Sequence, residues 1–493
     1  MKISPLEMCD GYKTGHVFQY PEGTEGVYSN WTPRMSRIEG VNKVVFFGMR
    51  YFIQEYLIRA WNEGFFSRPL DDVLKAYQKR INGYLGADLQ SYKHIEYLHR
   101  LGYLPLLIKA LPEGSRVDLR VPMLTICNTD PKCFWLTNFI ESIMSNILWM
   151  PCTSATIAYE YRTLLDKYAR WTSESQDLVP YQGHDFSLRG LPGLEAAALS
   201  GAGHLLSFAG TDSIPAVRFA EDYYGAEQYS METGCSVPAT EHSVMCAGSK
   251  NDELETYRRL INEVHPTGIV SIVSDQYDLW KVLTDYTTVL GASIMDRDGK
   301  VVFRPDSGDP VKILCGDPDA PDGSPAQDGV VEVLWHKFGG TENSKGYKEL
   351  DPHVGAIYGD SITLERAATI CTFLKLKGFA STNVVFGIGS YTYQYNTRDT
   401  FGFAMKSTFV DVKGEPREIY KDPVTDDGVK KSARGLIRVD QITEPGDYAG
   451  DFVMTDGVTW AQEKQGALKT VFKNGNEFNG QSFEDVRRTL RGE

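Results

Sequence analysis

From about residue 183 onward, short runs of β-branched or apolar residues recur, and each is followed by a charged residue, a polar residue or a glycine. The residues that follow the runs are Asp185, Asp212, His242, Asp275, Asp306, Asp360, Gly387 and Gly389, with Arg189 and Arg304 close by. Carboxylates suit ribose hydroxyls and Mg²⁺, whereas arginine side chains and the backbone N–H groups of a glycine loop suit phosphate. The combination predicts a site for a phosphorylated, magnesium-bound, polyhydroxylated ligand.

The positions of these residues indicate alternating strands and helices. The markers at 185, 212, 242, 275, 306, 360 and 389 are separated by 27, 30, 33, 31, 54 and 29 residues. A (β/α)₈ barrel uses about 31 residues for each βα unit. The long gap contains the Gly-, Pro- and Asp-rich segment 316–329, which we interpret as a surface insertion. We therefore expect an irregular α/β barrel with the polar residues at one mouth; a doubly wound open sheet is the alternative.

Local patterns predict further elements. Helical periodicity is expected at 71–85, 133–150 and 153–170, and a strand at 120–127. Within the barrel region, the apolar run 205–210 is expected to be a strand that ends before Asp212. Asp212 could equally serve as the N-cap of a helix that begins near Ser213.

Composition narrows the class of protein. The 493 residues carry 51 basic and 65 acidic side chains, a formal net charge of −14. An acidic chain argues against nucleic acid or an anionic membrane as partner. The N-terminal residues contain no secretory signal pattern, and the apolar stretches are far shorter than the ~20 residues of a membrane helix. Eight scattered cysteines suit reduced thiols, so we expect a cytoplasmic protein without a membrane or nucleic-acid partner.

A series of motifs resembles the nicotinamide phosphoribosyltransferase family, type II phosphoribosyltransferases. The resemblance runs from about residue 8 to residue 475, nearly the whole chain. It rests on the motifs Asn128-Thr129-Asp130-Pro131, His184-Asp185-Phe186, Gly210-Thr211-Asp212, the segment Ser236–Ser243, Val273-Ser274-Asp275, Arg304-Pro305-Asp306-Ser307-Gly308, the segment Thr341–Lys348, Gly359-Asp360, Thr397-Arg398-Asp399, Lys421-Asp422-Pro423 and the segment Val471–Gly475.

The resemblance implies a fold and a reaction. The fold is an irregular α/β barrel at 151–394 beside an α+β domain built from both chain ends, 1–150 and 395–493. The reaction joins nicotinamide to 5-phosphoribosyl 1-pyrophosphate and releases nicotinamide mononucleotide and pyrophosphate, with Mg²⁺ accompanying the pyrophosphate. The resemblance also implies a homodimer with shared active sites, and ATP as an activating co-substrate that phosphorylates the active-site histidine.

Roles for individual residues follow from the same resemblance. Phe186 and Tyr12 of the partner subunit stack on the pyridine ring, Asp212 accepts a hydrogen bond from the carboxamide, and Arg304 lies beside it. From the residue types alone, Phe186 could instead pack in the core. The Asp212 argument also stands by itself, because a carboxylate accepts an amide donor and repels the carboxylate of nicotinate.

The remaining site residues are assigned to ribose, phosphate and catalysis. Asp306, Gly359 and Asp360 are expected at the ribose and near Mg²⁺, which has no direct protein ligand. Arg189, Gly387, Gly389 and Ser390 are expected at the 5′-phosphate, although the family often has three glycines where this chain has Gly387-Ile388-Gly389. His242 is the expected phosphohistidine, with Asp275 to orient it and Glu241 and Ser236 nearby. Arg398, Lys406 and Lys421 are expected to bind pyrophosphate, and either Arg34 or Arg37 joins them.

Three other functions remain open at this point. The first is a nicotinate-using relative with the same fold, against which Asp212 argues. The second is a non-catalytic dimer that binds a nucleotide, against which the joint presence of His242, Asp275 and Asp306 argues. The third is a sugar hydrolase on a similar barrel, which needs two carboxylates flanking the bond and leaves the cationic residues unexplained.

Overall fold

The protein is described from a computed structural model, which covers residues 3–89, 91–359, 361–420, 433–444 and 449–493. The chain divides into two compact units. Unit 1 contains residues 1–156, 220–226 and 396–493, and unit 2 contains residues 157–219 and 227–395. Within the described ranges, no helix is both long enough and apolar enough to cross a lipid bilayer.

The described strands are short, and most are buried. In chain order they are β1 (Thr24–Thr32), β2 (Lys43–Val45), β3 (Leu106–Ala110), β4 (Arg116–Asp118), β5 (Leu124–Asn128), β6 (Gly183–Asp185), β7 (Gly210–Thr211), β8 (Gly268–Val273), β9 (Gly299–Arg304), β10 (Gly340–Glu342), β11 (Lys348–Leu350), β12 (Val354–Tyr358), β13 (Val384–Ile388), β14 (Ala404–Val412), β15 (Glu415–Glu418), β16 (Leu436–Gln441), β17 (Phe452–Val458), β18 (Lys469–Lys473) and β19 (Asn476–Glu477).

Helices connect most of these strands. They are α1 (Met49–Phe52), α2 (Leu70–Leu85), α3 (Lys93–Leu101), α4 (Leu136–Phe139), α5 (Glu141–Thr172), α6 (Val179–Gln182), α7 (Leu194–Leu205), α8 (Ile214–Tyr224), α9 (His242–Ala247), α10 (Glu253–Arg259), α11 (Leu279–Lys281), α12 (Thr287–Met295), α13 (Pro310–Cys315), α14 (Pro325–Asp328), α15 (Val330–Phe338), α16 (Leu364–Leu376), α17 (Ser390–Gln394), α18 (Trp460–Glu463) and α19 (Phe483–Arg491).

Short stretches of other helical geometry supplement them. π-Helical turns occupy Ile53–Arg59, Asn62–Phe66, Leu260–Val264 and Val282–Tyr286. Turns of 3₁₀ helix occupy Pro5–Glu7, Gly11–Phe18, Pro131–Cys133, Leu188–Gly190, Ser381–Asn383 and Arg398–Thr400.

Unit 1 is built around an antiparallel sheet to which both ends of the chain contribute. The strand order is β15-β14-β1-β5-β3-β18-β19, so three strands from before the barrel region form the centre of the sheet and strands from after it form both edges. Apolar residues fill the core, where the rings of Trp31 and Phe403 stack with centroids 4.6 Å apart. The α+β domain built from both chain ends is therefore present.

Unit 2 contains a parallel sheet that curls into an irregular barrel. The hydrogen-bonded order is β7-β6-β13-β12-β9-β8. The segment 235–239 joins the two edge strands, because Cys235 bridges Gly210 in β7 and Ala239 bridges Ser271 in β8. Pro238 lies in that segment and lacks an N–H, so it cannot donate to a regular ladder. Around the barrel the strands follow one another in chain order, which confirms the predicted architecture.

Two local predictions about these elements were wrong. The run 205–210 is not a strand: α7 continues to Leu205, the N–H of Phe208 still bonds to the carbonyl of His204, and only Gly210–Thr211 pairs in the sheet. The helices predicted at 133–150 and 153–170 are largely one helix, α5, which runs through Pro151. In the turn that contains the proline, the Thr153 hydroxyl donates to the Trp149 carbonyl at 2.7 Å.

Candidate active site

The carboxyl ends of the barrel strands carry most of the residues predicted to do chemistry. Parallel strands end at one rim, where α/β barrels place their functional groups. The residues of unit 2 at or just beyond these strand ends are Phe186, Arg189, Asp212, His242, Asp275, Arg304, Asp306, Gly359, Gly387, Gly389 and Ser390. The curled sheet thus places at one rim residues that are up to 204 positions apart in the chain (390 − 186).

Asp212 is held by two donors from neighbouring strands. His184 Nε2 lies 2.9 Å from Asp212 Oδ1, and the Ser236 hydroxyl donates to the same oxygen at 2.5 Å. The Asp212 carboxylate therefore bonds to side chains. At the start of α8, the Thr211 hydroxyl accepts the hydrogen bond from the N–H of Ser213. The Asp212 side chain remains 45 % exposed, which leaves it accessible to a ligand.

The surroundings of Asp212 favour its ionised form. Partial burial raises the pKa of this carboxyl, but the hydrogen bonds from His184 and Ser236 and the charges of His184 and Arg304 lower it, and the net shift is downward. Asp212 is thus a fixed, ionised hydrogen-bond acceptor at the barrel rim.

The Phe186 ring packs against His184, the same side chain that bonds to Asp212. Phe186 is half-buried, its N–H donates to the carbonyl of Ile388 at 3.0 Å, and its ring lies 4.6 Å from the ring of His184. The residue between them, Asp185, is fully buried and accepts from the N–H of Ser187, so it builds the turn after β6 instead of facing the mouth. A flat ligand with an amide substituent matches the pairing of an aromatic ring with an ionised acceptor.

His242 and Asp275 form a second cluster on the rim. His242 is the first residue of α9, and its Nε2 lies 3.3 Å from Asp275 Oδ1. The Asp275 side chain is 5 % exposed, and its other oxygen accepts from the N–H of Asp306 at 2.9 Å and from the Ser307 hydroxyl at 2.5 Å. A carboxylate held this firmly can orient an exposed imidazole, whose second nitrogen remains available for chemistry.

Arg304 ends β9, and its position is set by Thr240, which follows the segment 235–239, and by Ser274, which follows β8. One guanidinium nitrogen donates to the Thr240 carbonyl at 2.6 Å, and its backbone N–H donates to the Ser274 hydroxyl at 3.3 Å. Its charge contributes to the lowered pKa of Asp212. The site therefore combines a fixed anion, Asp212, with a fixed cation, Arg304. Together they can accept from and donate to the polar substituent of a planar ligand.

Two glycines allow the strand ends to approach closely. A Cβ at Gly359 would overlap the carboxylate of Asp306, and a Cβ at Gly387 would lie 2.7 Å from the carbonyl oxygen of Tyr358. Gly389 is the N-cap of α17, which begins at Ser390. Arg189 is exposed on the turn after β6. These features leave room for backbone N–H groups to contact a bound anion.

The other predicted residues lie outside unit 2 or outside the described residues. Tyr12, Arg398 and Lys406 belong to unit 1, where the side chains of Tyr12 and Arg398 are more than half exposed. In the same unit, Arg34 donates to the carbonyl of Gly402 at 2.9 Å. Asp360 and Lys421 fall among the residues that the structure does not describe.

Sequence reasoning missed two contributors to the site. His184 was noted only as part of a motif, and Ser307 was given no role, yet each bonds to a predicted site carboxylate. The signal for His184 was available: it stands two residues before Phe186, and alternate residues of a strand share a face. No group of three His, Cys, Asp or Glu side chains suited to a metal ion occurs in the part of the chain that the structure describes.

The fold defines the class of protein. The chain is similar to a nicotinate-nucleotide pyrophosphorylase from Pyrococcus furiosus, with a TM-score of 0.55 and 13 % identity over 99 % of this chain and 95 % of that one. It is also similar to human nicotinic acid phosphoribosyltransferase, with a TM-score of 0.52 and 15 % identity over 98 % of this chain and 92 % of that one. This is the fold of type II phosphoribosyltransferases.

Sequence comparison identifies the family. The sequence model of the nicotinate phosphoribosyltransferase (NAPRTase) family matches residues 181–476, and that of the nicotinamide phosphoribosyltransferase N-terminal domain matches residues 5–63. The chain belongs to the nicotinate phosphoribosyltransferase family. Relatives named nicotinamide phosphoribosyltransferase include one from Acinetobacter baylyi, 54 % identical over 99 % of this chain and 97 % of that protein. Another, from Xanthomonas campestris, is 32 % identical over 97 % of this chain and 96 % of that protein.

Proposed function

We propose that this protein transfers the 5-phosphoribosyl group from 5-phosphoribosyl 1-pyrophosphate to nicotinamide, giving nicotinamide mononucleotide and pyrophosphate. The observation that carries the proposal is the ionised Asp212 carboxylate, held by Ser236 and by His184, whose ring also packs against Phe186. The family membership and the activity for which the 54 % and 32 % identical relatives are named support it.

The pyridine site explains the choice of base. The carboxamide N–H of nicotinamide donates to Asp212 while the ring lies against Phe186, and Arg304 offers a donor to the carboxamide oxygen. Nicotinate has no N–H at this position, and its carboxylate would face the ionised Asp212. Like charges without a shared proton repel strongly at short range, so the site favours the amide.

The sugar and its 5′-phosphate are assigned to the neighbouring strand ends. Asp306 accepts hydrogen bonds from the ribose hydroxyls beside Gly359, and Asp360 is proposed to assist. The 5′-phosphate contacts backbone N–H groups of Gly387, Gly389 and Ser390 together with Arg189. Support comes from the close packing at Gly359 and Gly387, where a side chain would overlap Asp306 or the Tyr358 carbonyl.

The transfer itself needs geometry more than a nucleophile. The bond from C1 of the ribose to the pyrophosphate oxygen breaks, and a bond from C1 to the pyridine nitrogen forms, through an oxocarbenium-like centre. Such a reaction is accelerated by holding the base in line with C1 and by stabilising the charge that develops on the departing pyrophosphate. Phe186 and Asp212 hold the base, and Asp306 holds the sugar.

Pyrophosphate departure needs positive charge. Arg398, Lys406 and Lys421 are proposed to bind it from a second copy of the chain in a homodimer with shared sites, which would also supply Tyr12 to the base. Mg²⁺ accompanies the pyrophosphate and neutralises part of its charge; Asp306 is the nearest proposed contact. The oxygen-rich chemistry of the Asp275 and Asp306 cluster suits a hydrated Mg²⁺.

ATP is proposed to activate the enzyme through His242. An imidazole nitrogen of His242 would bond to the γ-phosphorus of ATP as the bond from that phosphorus to the β,γ-bridging oxygen breaks and ADP leaves, while Asp275, 3.3 Å away, orients the ring. Nearly half of the His242 side chain is exposed, so the ring is accessible to a phosphate donor. A phosphorylated His242 would contact Mg²⁺-bound pyrophosphate and raise the affinity for the sugar substrate.

A product assay tests the proposal. Purified protein, 5-phosphoribosyl 1-pyrophosphate and Mg²⁺ are incubated with nicotinamide or nicotinate, each with and without ATP. Nicotinamide mononucleotide formed from nicotinamide is expected, with an ATP stimulation that His242→Ala abolishes. Product from nicotinate alone would overturn the choice of base and leave the phosphoribosyl transfer standing. A folded protein that makes neither product would favour a non-catalytic nucleotide-binding dimer.

A further inference from the structure

We propose that His184 is a positioning residue that selects the carboxamide of nicotinamide, by holding Asp212 as a fixed acceptor and supporting the Phe186 ring. This inference rests on the proposed function, because it names the residue behind the specificity of that same site. His184 does not need to touch the substrate for this role.

The first observation is the bond between His184 and Asp212. His184 lies in β6, its side chain is 11 % exposed, and its Nε2 is 2.9 Å from Asp212 Oδ1. Since the Asp212 carboxylate is ionised and can only accept, the proton of this bond is on Nε2. Ser236 donates to the same oxygen, so among the described residues both side-chain donors engage Oδ1. The second oxygen, Oδ2, is thereby given a defined direction.

The second observation is the fixed position of the His184 ring. Gly210 is its partner in the neighbouring strand β7, and a Cβ at Gly210 would lie 2.9 Å from His184 Nδ1. Only glycine therefore leaves space for the imidazole against β7. The Gly210 carbonyl is itself held by the buried His204, whose Nε2 lies 3.0 Å from it. The His184 ring thus packs against the Gly210 backbone, which His204 holds in place.

The third observation links His184 to the stacking residue. Its ring centroid is 4.6 Å from that of Phe186, with 36° between the ring planes. Alternate residues of a strand point to the same face, so β6 places the two rings side by side. One imidazole consequently contacts both residues proposed to bind the pyridine ring, Phe186 by packing and Asp212 by a hydrogen bond.

Loss of the His184 donor changes specificity in a defined direction. Without it, Asp212 keeps only the Ser236 hydroxyl on Oδ1, can rotate more freely, and protonates more easily. A protonated carboxyl can donate to the carboxylate of nicotinate, so rejection of nicotinate weakens. A hydrogen bond to a charged group corresponds to about a 10- to 100-fold effect on affinity.

The experiment compares His184→Phe with His184→Gln. Phenylalanine keeps a ring against Phe186 and removes the donor, whereas the Gln amide nitrogen can occupy the place of Nε2 and donate to Asp212. His184→Phe is expected to raise the KM for nicotinamide about 10-fold or more, with kcat changed less than about threefold, and to lower the nicotinamide-to-nicotinate ratio of kcat/KM about 10-fold. His184→Gln is expected to recover most of both losses.

Controls separate this inference from the proposed function. His336→Phe changes an exposed histidine of α15 in the same unit. It is expected to leave unchanged both the KM for nicotinamide and the nicotinamide-to-nicotinate ratio of kcat/KM. Wild-type protein that forms no nicotinamide mononucleotide would refute the proposed function itself. With active wild type, a folded His184→Phe that keeps both parameters within twofold refutes the role of His184, as does a His184→Gln as impaired as His184→Phe. If His184→Phe loses its melting transition, His184→Asn, whose shorter amide cannot reach Asp212, replaces it under the same criteria.

Discussion

Gly387→Ala tests whether the close approach of two barrel strands builds the site. Gly387 lies in β13 beside the end of β12. An added Cβ would stand 2.7 Å from the carbonyl oxygen of Tyr358 and 2.9 Å from both Cα and the carbonyl carbon of Gly359. All three neighbours are backbone atoms, so rotation of a side chain cannot relieve the overlap. The two strand ends must separate.

The size of that separation can be worked out from the contacts. Carbon atoms pack at about 3.5 Å or more, so a distance of 2.9 Å requires the strand ends to move apart by about 0.6 Å. Overpacking of this kind costs about 1–3 kcal/mol of stability. A shift of about 1 Å in a site can lower activity about 100-fold. Because Gly359 lies against Asp306, we expect kcat/KM for 5-phosphoribosyl 1-pyrophosphate to fall about 10-fold or more.

The matched control is Gly355→Ala, at the start of the neighbouring strand β12 and four residues before Gly359. Its Cβ would meet the flexible side chain of Lys300 at 3.3 Å and Val302 at 3.7 Å, so it should be accommodated. Urea unfolding and steady-state kinetics on both variants provide the comparison. If Gly387→Ala matches Gly355→Ala in stability and in kcat/KM, the strand ends do not form the sugar-phosphate site as proposed.

Three further predictions follow from other parts of the molecule. Gly291→Ala, inside α12 with open space around the new Cβ, should raise the free energy of unfolding by about 0.5–1 kcal/mol in urea, with activity unchanged. The lowered pKa of Asp212 stabilises the fold above about pH 4, the ordinary pKa of an aspartate, and this contribution is lost as the pH falls through the lower pKa of the folded state. Asp212→Asn should therefore lose Tm less steeply than wild type as the pH falls below about 4. Asp275→Asn should lose most of the ATP stimulation, measured as the ratio of rates with and without ATP, because it no longer orients His242.

The barrel could be predicted because its repeating unit is local. Each strand is a short apolar run that ends in a polar residue, and spacing near 30 residues is typical of βα units. The segment 235–239 also follows this spacing. Because Pro238 prevents regular strand pairing, the segment joins the barrel through the bridges of Cys235 and Ala239. The continuation of α5 through Pro151 could not be predicted, because local helix propensity disfavours proline and the surrounding structure overrides it.

The hydrogen bonds that hold the Asp212 and Asp275 carboxylates in place were not predicted from the sequence. Asp212 takes its hydrogen bonds from residues 28 positions before it and 24 positions after it, and Asp275 takes them from 31 and 32 positions after it. Such pairs depend on the order of strands around the barrel. Residue types identified which carboxylates could act, and the fold assigned the donors that fix them.

The most direct test of the central claim is a competition between nicotinamide and nicotinate. Both bases are offered at equal concentration with limiting 5-phosphoribosyl 1-pyrophosphate and Mg²⁺, and the two mononucleotides are separated and quantified. The account predicts that nicotinamide mononucleotide exceeds nicotinate mononucleotide by about 100-fold or more, and that Asp212→Ala narrows the ratio at least tenfold. An excess of nicotinate mononucleotide, or a ratio that Asp212→Ala leaves unchanged, would contradict it.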